Sequence, residues 1–205
     1  MNRFFLLTSA VALTISTSTA FAADSGFYAG VSAGYSNTEV DATGTGAFSG
    51  SLSEDIKGGD FGLHAGYRHY LTNAFFLGGE GEAVWSNADW STTVGTTTVE
   101  AEKKYSLGLN LKSGYQFTDR FALLGTLGWK WSEYELSAAG VSDDDTFNGF
   151  VYGGGLEYTM NDKVSLAAEY NRVNLDEQTY DYGGGDTFTL DGDENVFKVS
   201  VTYHF

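Results

Sequence analysis

The chain has 205 residues, which suits one domain or two small ones. Its formal net charge of −16 argues against a nucleic-acid partner, because phosphate binding needs a basic face. Cysteine is absent, which excludes disulfides and thiolate chemistry, and no apolar run reaches the roughly 18 residues of a membrane helix, which excludes a helical membrane bundle.

The first residues have the pattern of an export signal. Arg3 forms a short basic region, residues 4–15 are mostly apolar, and residues 20–22 read Ala-Phe-Ala, a small-residue cleavage pattern. We therefore predict a cleaved N-terminal signal peptide over residues 1–22. The remaining residues, 23–205, are predicted to form one domain.

Beyond the signal peptide, apolar and polar residues alternate in segments of about ten residues, the length a tilted strand needs to cross a bilayer. At the C-terminus, for example, Phe197, Val199 and Val201 alternate with Lys198 and Ser200. This period of two predicts strands with one apolar face. The segments are eight in number and lie at 27–35, 59–70, 75–87, 105–117, 121–132, 149–159, 164–173 and 197–205.

The connections between these segments alternate between short and long. The short ones are predicted turns, and the long ones are predicted loops. Short turns on one side and long loops on the other are typical of an outer-membrane barrel, and place both chain ends on the periplasmic side. The turns lie at 71–74, 118–120 and 160–163, and the loops at 38–58, 88–104, 133–148 and 174–195.

The apolar face of the segments is sorted by position along each strand. Aromatic residues lie near both strand ends, with Leu, Val, Ala and Gly between them. Two aromatic girdles around an aliphatic belt indicate an apolar face that points outward to lipid. We therefore predict an all-β fold, an eight-stranded antiparallel transmembrane up-and-down β-barrel, with a soluble lipocalin-like barrel as the alternative.

The polar face carries glycines and isolated charges, which would point into the lumen of such a barrel. An eight-stranded barrel is narrow enough for side chains to fill it, and buried charges are tolerated only when they are paired. We predict a lumen charge network of four bases and four acids: Arg68, Lys112, Lys130 and Lys198 with Glu80, Glu82, Glu157 and Glu169.

Several short motifs of glycine and aromatic residues recur along the predicted strands. They are GFYAGVSAGY at 26–35, GLHAGYR at 62–68, LGGEGE at 77–82, YGGGLEY at 152–158, VSLAAEY at 164–170 and YHF at 203–205. In these motifs the chain resembles the opacity-protein and porin-family class of small outer-membrane β-barrel proteins, and is similar in plan to the transmembrane domain of outer membrane protein A. The resemblance implies insertion into the bacterial outer membrane, with Phe205 read as an assembly signal by the barrel-assembly machinery.

No motif predicts a catalytic, cofactor or metal site. The G-x-S-x-G sequence at 30–34 lies inside an alternating strand rather than at the strand-to-helix turn of a nucleophile elbow, and is interpreted as small residues lining the lumen. No histidine has a serine or a second histidine beside it at a useful spacing. The acidic runs at 143–145 and 191–194 lack the spacing of a calcium loop and are interpreted as surface charge.

Most of the acidity falls in the predicted loops, while the strands and turns are neutral. Arg172, Lys103 and Lys104 fall at the height of the outer headgroups and are predicted to contact lipopolysaccharide phosphates. The sequence indicates a non-enzymatic integral outer-membrane barrel with long acidic surface loops, acting in envelope integrity or surface interaction, whose extracellular ligand is left open. The alternatives are a small-solute porin, an adhesin or surface antigen, and a lipid-modifying enzyme.

Overall fold

The computed structural model describes residues 25–44, 50–94, 97–138, 141–183 and 186–205, so the predicted signal peptide lies outside the described residues. Within them, nine antiparallel strands form one sheet. They are β1 (Gly26–Gly44), β2 (Gly50–Tyr70), β3 (Phe75–Ser86), β4 (Asp89–Val94), β5 (Thr97–Gln116), β6 (Phe121–Ala138), β7 (Val141–Asn161), β8 (Val164–Gly183) and β9 (Asp186–His204).

The sheet closes into a barrel because β1 pairs with both β2 and β9. β3 and β4 act as one barrel strand: both pair with β5, and only Asn87 and Ala88 separate them. Every other strand pairs with its neighbours in chain order. The predicted eight-stranded, up-and-down, antiparallel barrel is confirmed. Among the described residues, no helix is long and apolar enough to cross a membrane.

The predicted long loops are wrong in one respect, because most of their residues extend the strands. β1, for example, continues to Gly44 and stays paired with β2 up to Gly50. Backbone pairing satisfies the peptide groups whether or not one face is apolar. The polar, Thr- and Ser-rich extensions therefore form strands without the alternation on which the sequence prediction depended.

Three tight turns connect the strands at the periplasmic end, as predicted. In each turn a single side-chain oxygen accepts hydrogen bonds from the last backbone amide of the turn and from the first amide of the return strand. These acceptors are Thr72, Thr118 and Asn161, with distances of 2.9–3.3 Å. Such local bonds are why Thr and Asn favour turns.

The two faces of the wall are inverted relative to a water-soluble protein. Large apolar side chains such as Leu109 and Phe27, 62% and 57% exposed, point outward, whereas polar side chains fill the interior. The outward aromatics near the extracellular side form what we call the outer aromatic ring, the signature of a membrane interface. This ring contains Tyr35, Phe61, Trp85, Tyr105, Trp129, Trp131, Phe150, Tyr170 and Phe197.

Above the outer aromatic ring the wall divides into two sheets. Over the described residues, the ladder between β7 and β8 ends at Gly149 and Leu175, although both strands continue. In the same described part of the chain, the ladder between β2 and β4 consists of the single pair Lys57 and Asp89. The upper parts of β4, β5, β6 and β7 therefore form one sheet, and those of β8, β9, β1 and β2 form the other; we call these the upper sheets.

Candidate functional site: the lumen and the extracellular rim

The structure places all eight predicted charges in the lumen. Their side chains are at most 11% exposed, and each forms an ion pair. Inward glycines make room for them; Gly108, for example, lies directly against the Glu82 side chain. The pairing partners could not be read from the sequence, because they depend on strands far apart in the chain.

Arg68 closes the periplasmic end of the lumen. Its guanidinium donates to both carboxylate oxygens of Glu157, at 2.9 and 2.8 Å, in a bidentate pair. The guanidinium also lies over the ring of Phe76, 3.9 Å from its centroid. Phe76 is only 1% exposed, so its ring and the ion pair together fill this end.

In the middle of the lumen, one lysine serves two carboxylates. Lys112 Nζ lies 2.5 Å from Glu169 and 3.5 Å from Glu80. The Tyr28 hydroxyl donates to Glu80 at 3.1 Å. A neighbouring pair joins Lys198 to Glu82 at 2.9 Å.

Nearer the extracellular end, one carboxylate serves two lysines. Lys130 pairs at 3.0 Å with Glu194, a residue that the sequence assigned to a loop, and not with any of the four predicted acids. Lys103 also donates to Glu194, and both of these side chains are fully buried. Asp60, which lies in the predicted strand 59–70 but is not one of the eight predicted charges, lines the same part of the lumen.

The predicted contact of Lys103 with lipopolysaccharide is therefore wrong. A β-bulge between Lys103 and Tyr105 shifts the register of β5 against β6, and Lys103 points inward while Tyr105 points to the outer ring. A signal for Glu194 was present, because it has the same parity as Lys198 on β9. The prediction missed it by ending the apolar alternation at Phe197.

An apolar cluster covers this charge group on the extracellular side. It consists of Ile56, Ala88 and Tyr134, with Val40 and Phe147 packed against it. The interruption between β3 and β4 brings Ala88 inside, where its carbonyl accepts a bond from the Lys103 amide at 2.9 Å. Gly58 is required here, because a Cβ atom at that position would overlap the Ala88 backbone.

The other two predicted lipopolysaccharide contacts lie on the outside of the barrel. Arg172 is 37% exposed and pairs with Asp193 at 2.5 Å, beside Asn195. Lys104 is 39% exposed and pairs with Glu135 at 2.5 Å. Both cations face the headgroup region but share their charge with a carboxylate on the adjacent strand.

A serine, a histidine and an acid meet near the periplasmic end, although Ser165 and His204 are 39 residues apart in the sequence. Ser165 Oγ lies 2.9 Å from His204 Nε2 and 3.3 Å from Glu157. Ser165 is only 1% exposed, and Glu157 contacts the serine and Arg68 instead of orienting the imidazole. A catalytic triad needs the acid on the histidine, so this group has the geometry of a structural hydrogen-bond network.

The C-terminal Phe205 lies on the outer surface at the periplasmic end. Its amide donates to the Phe27 carbonyl at 3.0 Å, and its ring packs edge-on against Tyr203 at 5.2 Å. Its role as an assembly signal stays a prediction. Among the described residues, no group of three or more His, Asp and Glu side chains is arranged to hold a metal ion.

Comparison with known proteins identifies a family that matches almost the whole chain. A family model described as "Outer membrane protein beta-barrel domain" matches residues 7–205. The 31 kDa outer-membrane immunogenic protein of Brucella melitensis is 26% identical over 200 residues, which covers 87% of this chain and 79% of that protein. Outer membrane protein A of Salmonella typhi is 28% identical over 116 residues, 54% of this chain and 31% of that protein.

Solved structures show the same fold. Ail, the attachment invasion locus protein of Yersinia pestis, has a TM-score of 0.51 at 16% identity, covering 88% of this chain and 99% of that one. Neisserial surface protein A has a TM-score of 0.51 at 16% identity, covering 88% and 97%. At these identities the likeness concerns the barrel architecture.

Proposed function

Because this chain belongs to the outer membrane protein beta-barrel domain family and is therefore a small barrel of the bacterial outer membrane, we propose that it is a non-enzymatic surface-interaction protein. In this proposal the barrel is a closed anchor, and the two upper sheets are the part that meets the outside. The observation that carries the proposal is the filled lumen.

The lumen is filled in three layers. Arg68, Phe76 and Glu157 fill the periplasmic end, and the Ile56, Ala88 and Tyr134 cluster fills the extracellular end. Paired charges occupy the space between them. A narrow bore crossed by buried ion pairs offers no continuous aqueous path, which argues against the porin alternative.

The upper sheets provide the surface for interaction. At or above the outer aromatic ring, the acidic residues outnumber the bases Lys57, Lys104 and Arg172, and form an anionic rim on the extracellular side. The acids of this rim whose side chains the structure describes are Glu39, Asp41, Asp55, Glu102, Glu133, Glu135, Asp176, Glu177, Asp191 and Asp193. The Brucella relative is named an immunogenic outer-membrane protein, which supports surface exposure of this region.

Lipid and lipopolysaccharide are the proposed partners of the barrel wall, and the barrel-assembly machinery is the proposed partner of Phe205. The proposed contacts with lipopolysaccharide headgroups are Arg172 and Lys104, because Lys103 lies inside the barrel. Substituting Arg172 with Ala is expected to reduce the lipopolysaccharide that copurifies with the protein. An unchanged amount would contradict this role.

Planar-bilayer recording tests the closed barrel. We expect the mature chain, inserted from detergent into lipid, to give no stable conductance steps. A protease-protection assay on the same preparation would establish that the barrel is inserted. Stable channels that pass small solutes in a graded, size-dependent manner would overturn the proposal in favour of a porin.

A further inference from the structure

Two bases at the periplasmic end differ from the other bases of the barrel. Over the part of the chain that the structure describes, every Lys and Arg forms an ion pair except Arg120 and Lys163, and both of these side chains are exposed. Their chain neighbours Asp119 and Asp162 are exposed as well, and neither pairs with them. Two positive charges are therefore available here to an external anion.

The periplasmic turns bring the two bases to the same strand end. The Thr159 amide near the end of β7 donates to the Arg120 carbonyl at 2.8 Å. In the turn that follows β7, the Lys163 amide donates to Asn161 Oδ1 at 3.0 Å. Arg120, which precedes β6, and Lys163, which precedes β8, thus lie on either side of the end of β7.

Each base also contacts a tyrosine of the wall. Arg120 Nη1 donates to the Tyr158 hydroxyl at 3.3 Å, and Lys163 Nζ lies over the Tyr203 ring, 5.7 Å from its centroid. Tyrosines concentrate at the interface between membrane and water, and long basic side chains at that depth hold their charge among the headgroups. Both charges therefore lie at the level of the periplasmic headgroups.

An aliphatic strip separates the two tyrosines on the outer face. Leu166 of β8 is paired with Tyr158 on one side and with Val201 on the other, and Val201 lies two residues before Tyr203 on β9. Leu166 and Val201 are 38% and 46% exposed and point outward. A molecule whose anion contacts the two bases can lay a hydrocarbon chain along this strip.

We propose that Arg120 and Lys163 bind the phosphate of an anionic phospholipid of the periplasmic leaflet, whose acyl chains lie along Leu166 and Val201. Clusters of basic side chains at a membrane surface attract anionic lipids. A zwitterionic lipid fits less well, because the two bases repel the cation beside its phosphate. The inference deepens the lipid contact of the proposed function, and rests on that function only in requiring an inserted barrel.

Native mass spectrometry measures the lipid preference. The mature barrel is released from nanodiscs made of equal parts of phosphatidylglycerol and phosphatidylcholine with identical acyl chains, and the lipids that it retains are counted. We expect phosphatidylglycerol to be retained at least about fivefold over phosphatidylcholine, because two cations contact an uncompensated phosphate. Equal retention of the two lipids would overturn the inference.

Single substitutions locate this preference. Arg120→Gln and Lys163→Gln should each lower it at least about threefold, and the double variant should abolish it. The matched control, Lys57→Gln, also removes one base, but one on the extracellular side that pairs with Asp55 at 2.8 Å. It should stay within about twofold of the parent, and an equal loss in this control would contradict a local site. Heat-modifiable gel migration establishes that all variants fold.

Photo-crosslinking distinguishes a lipid from a soluble anion. A phosphatidylglycerol analogue with a diazirine on its headgroup should crosslink to residues 117–121 and 158–163, and excess glycerol phosphate should not compete. Crosslinks confined to other segments, or full competition by glycerol phosphate, would overturn the inference. A conducting barrel would instead overturn the proposed function without moving these crosslinks, so the two failures are distinguishable.

Discussion

Glu194 and Glu80 are both buried acids of the lumen, but they differ in how many cations depend on them. Glu194 is the carboxylate that neutralises both Lys103 and Lys130, whereas Glu80 shares Lys112 with Glu169. Removing Glu194 leaves two buried cations without this partner. Removing Glu80 leaves Lys112 with its shorter contact, at 2.5 Å to Glu169.

At the residue scale, Glu194→Gln is therefore expected to lower the free energy of unfolding by about 3–5 kcal/mol, as for other buried pairs that lose one partner. The control, Glu80→Gln, should cost less than about 1 kcal/mol, in the range of one shared hydrogen bond. Urea unfolding in lipid vesicles, followed by tryptophan fluorescence, measures both variants. Equal losses of stability in the two variants would contradict the different roles assigned to Glu194 and Glu80.

At the scale of the strands, the sequence predicted some parts of each strand and missed others. The alternation of apolar and polar residues predicted the membrane-spanning part of each strand and the side that faces the lumen. It could do so because successive side chains of a strand point in turn to lipid and to the lumen. It did not reveal the upper extensions, since their polar, Thr- and Ser-rich sequences lack a continuous apolar face. Nor did it reveal the bulge at Lys103 and Tyr105, because one extra residue reverses which side faces inward.

Glycines on the two faces of the wall provide an element-scale prediction. A Cβ at Gly114 would overlap the Phe76 ring, whereas a Cβ at Gly79 would have no neighbour within 4 Å. Gly114→Ala is expected to destabilise the barrel by about 1–3 kcal/mol through overpacking, and Gly79→Ala to change stability by less than about 0.5 kcal/mol. Urea unfolding in vesicles checks the pair. A larger loss of stability for Gly79→Ala would contradict the open space that the structure shows beside Gly79 on the outer face.

At the scale of the whole molecule, the structure divides the net charge between the lumen and the extracellular side differently from the sequence prediction. The sequence assigned a neutral barrel and gave all of the net charge to the loops. Glu194 and Lys103, from the predicted loops, lie in the lumen, and so does Asp60. Among the described residues the lumen therefore holds six acids and five bases and carries one net negative charge. Nearly all of the acidity still lies on the extracellular side, separated from the lumen charges by the Ile56, Ala88 and Tyr134 cluster.

The sequence by itself determined the eight-stranded barrel, its lipid-facing side, its periplasmic turns and eight of its lumen charges. Each of these follows from a local pattern: a period of two, aromatic residues at strand ends, and turn residues between strands. The tertiary structure alone decided that Lys130 meets Glu194, that Lys103 turns inward and that β7 and β8 separate above the membrane. These features depend on register between strands distant in the chain, and a single bulge or interruption changes that register without altering the local pattern.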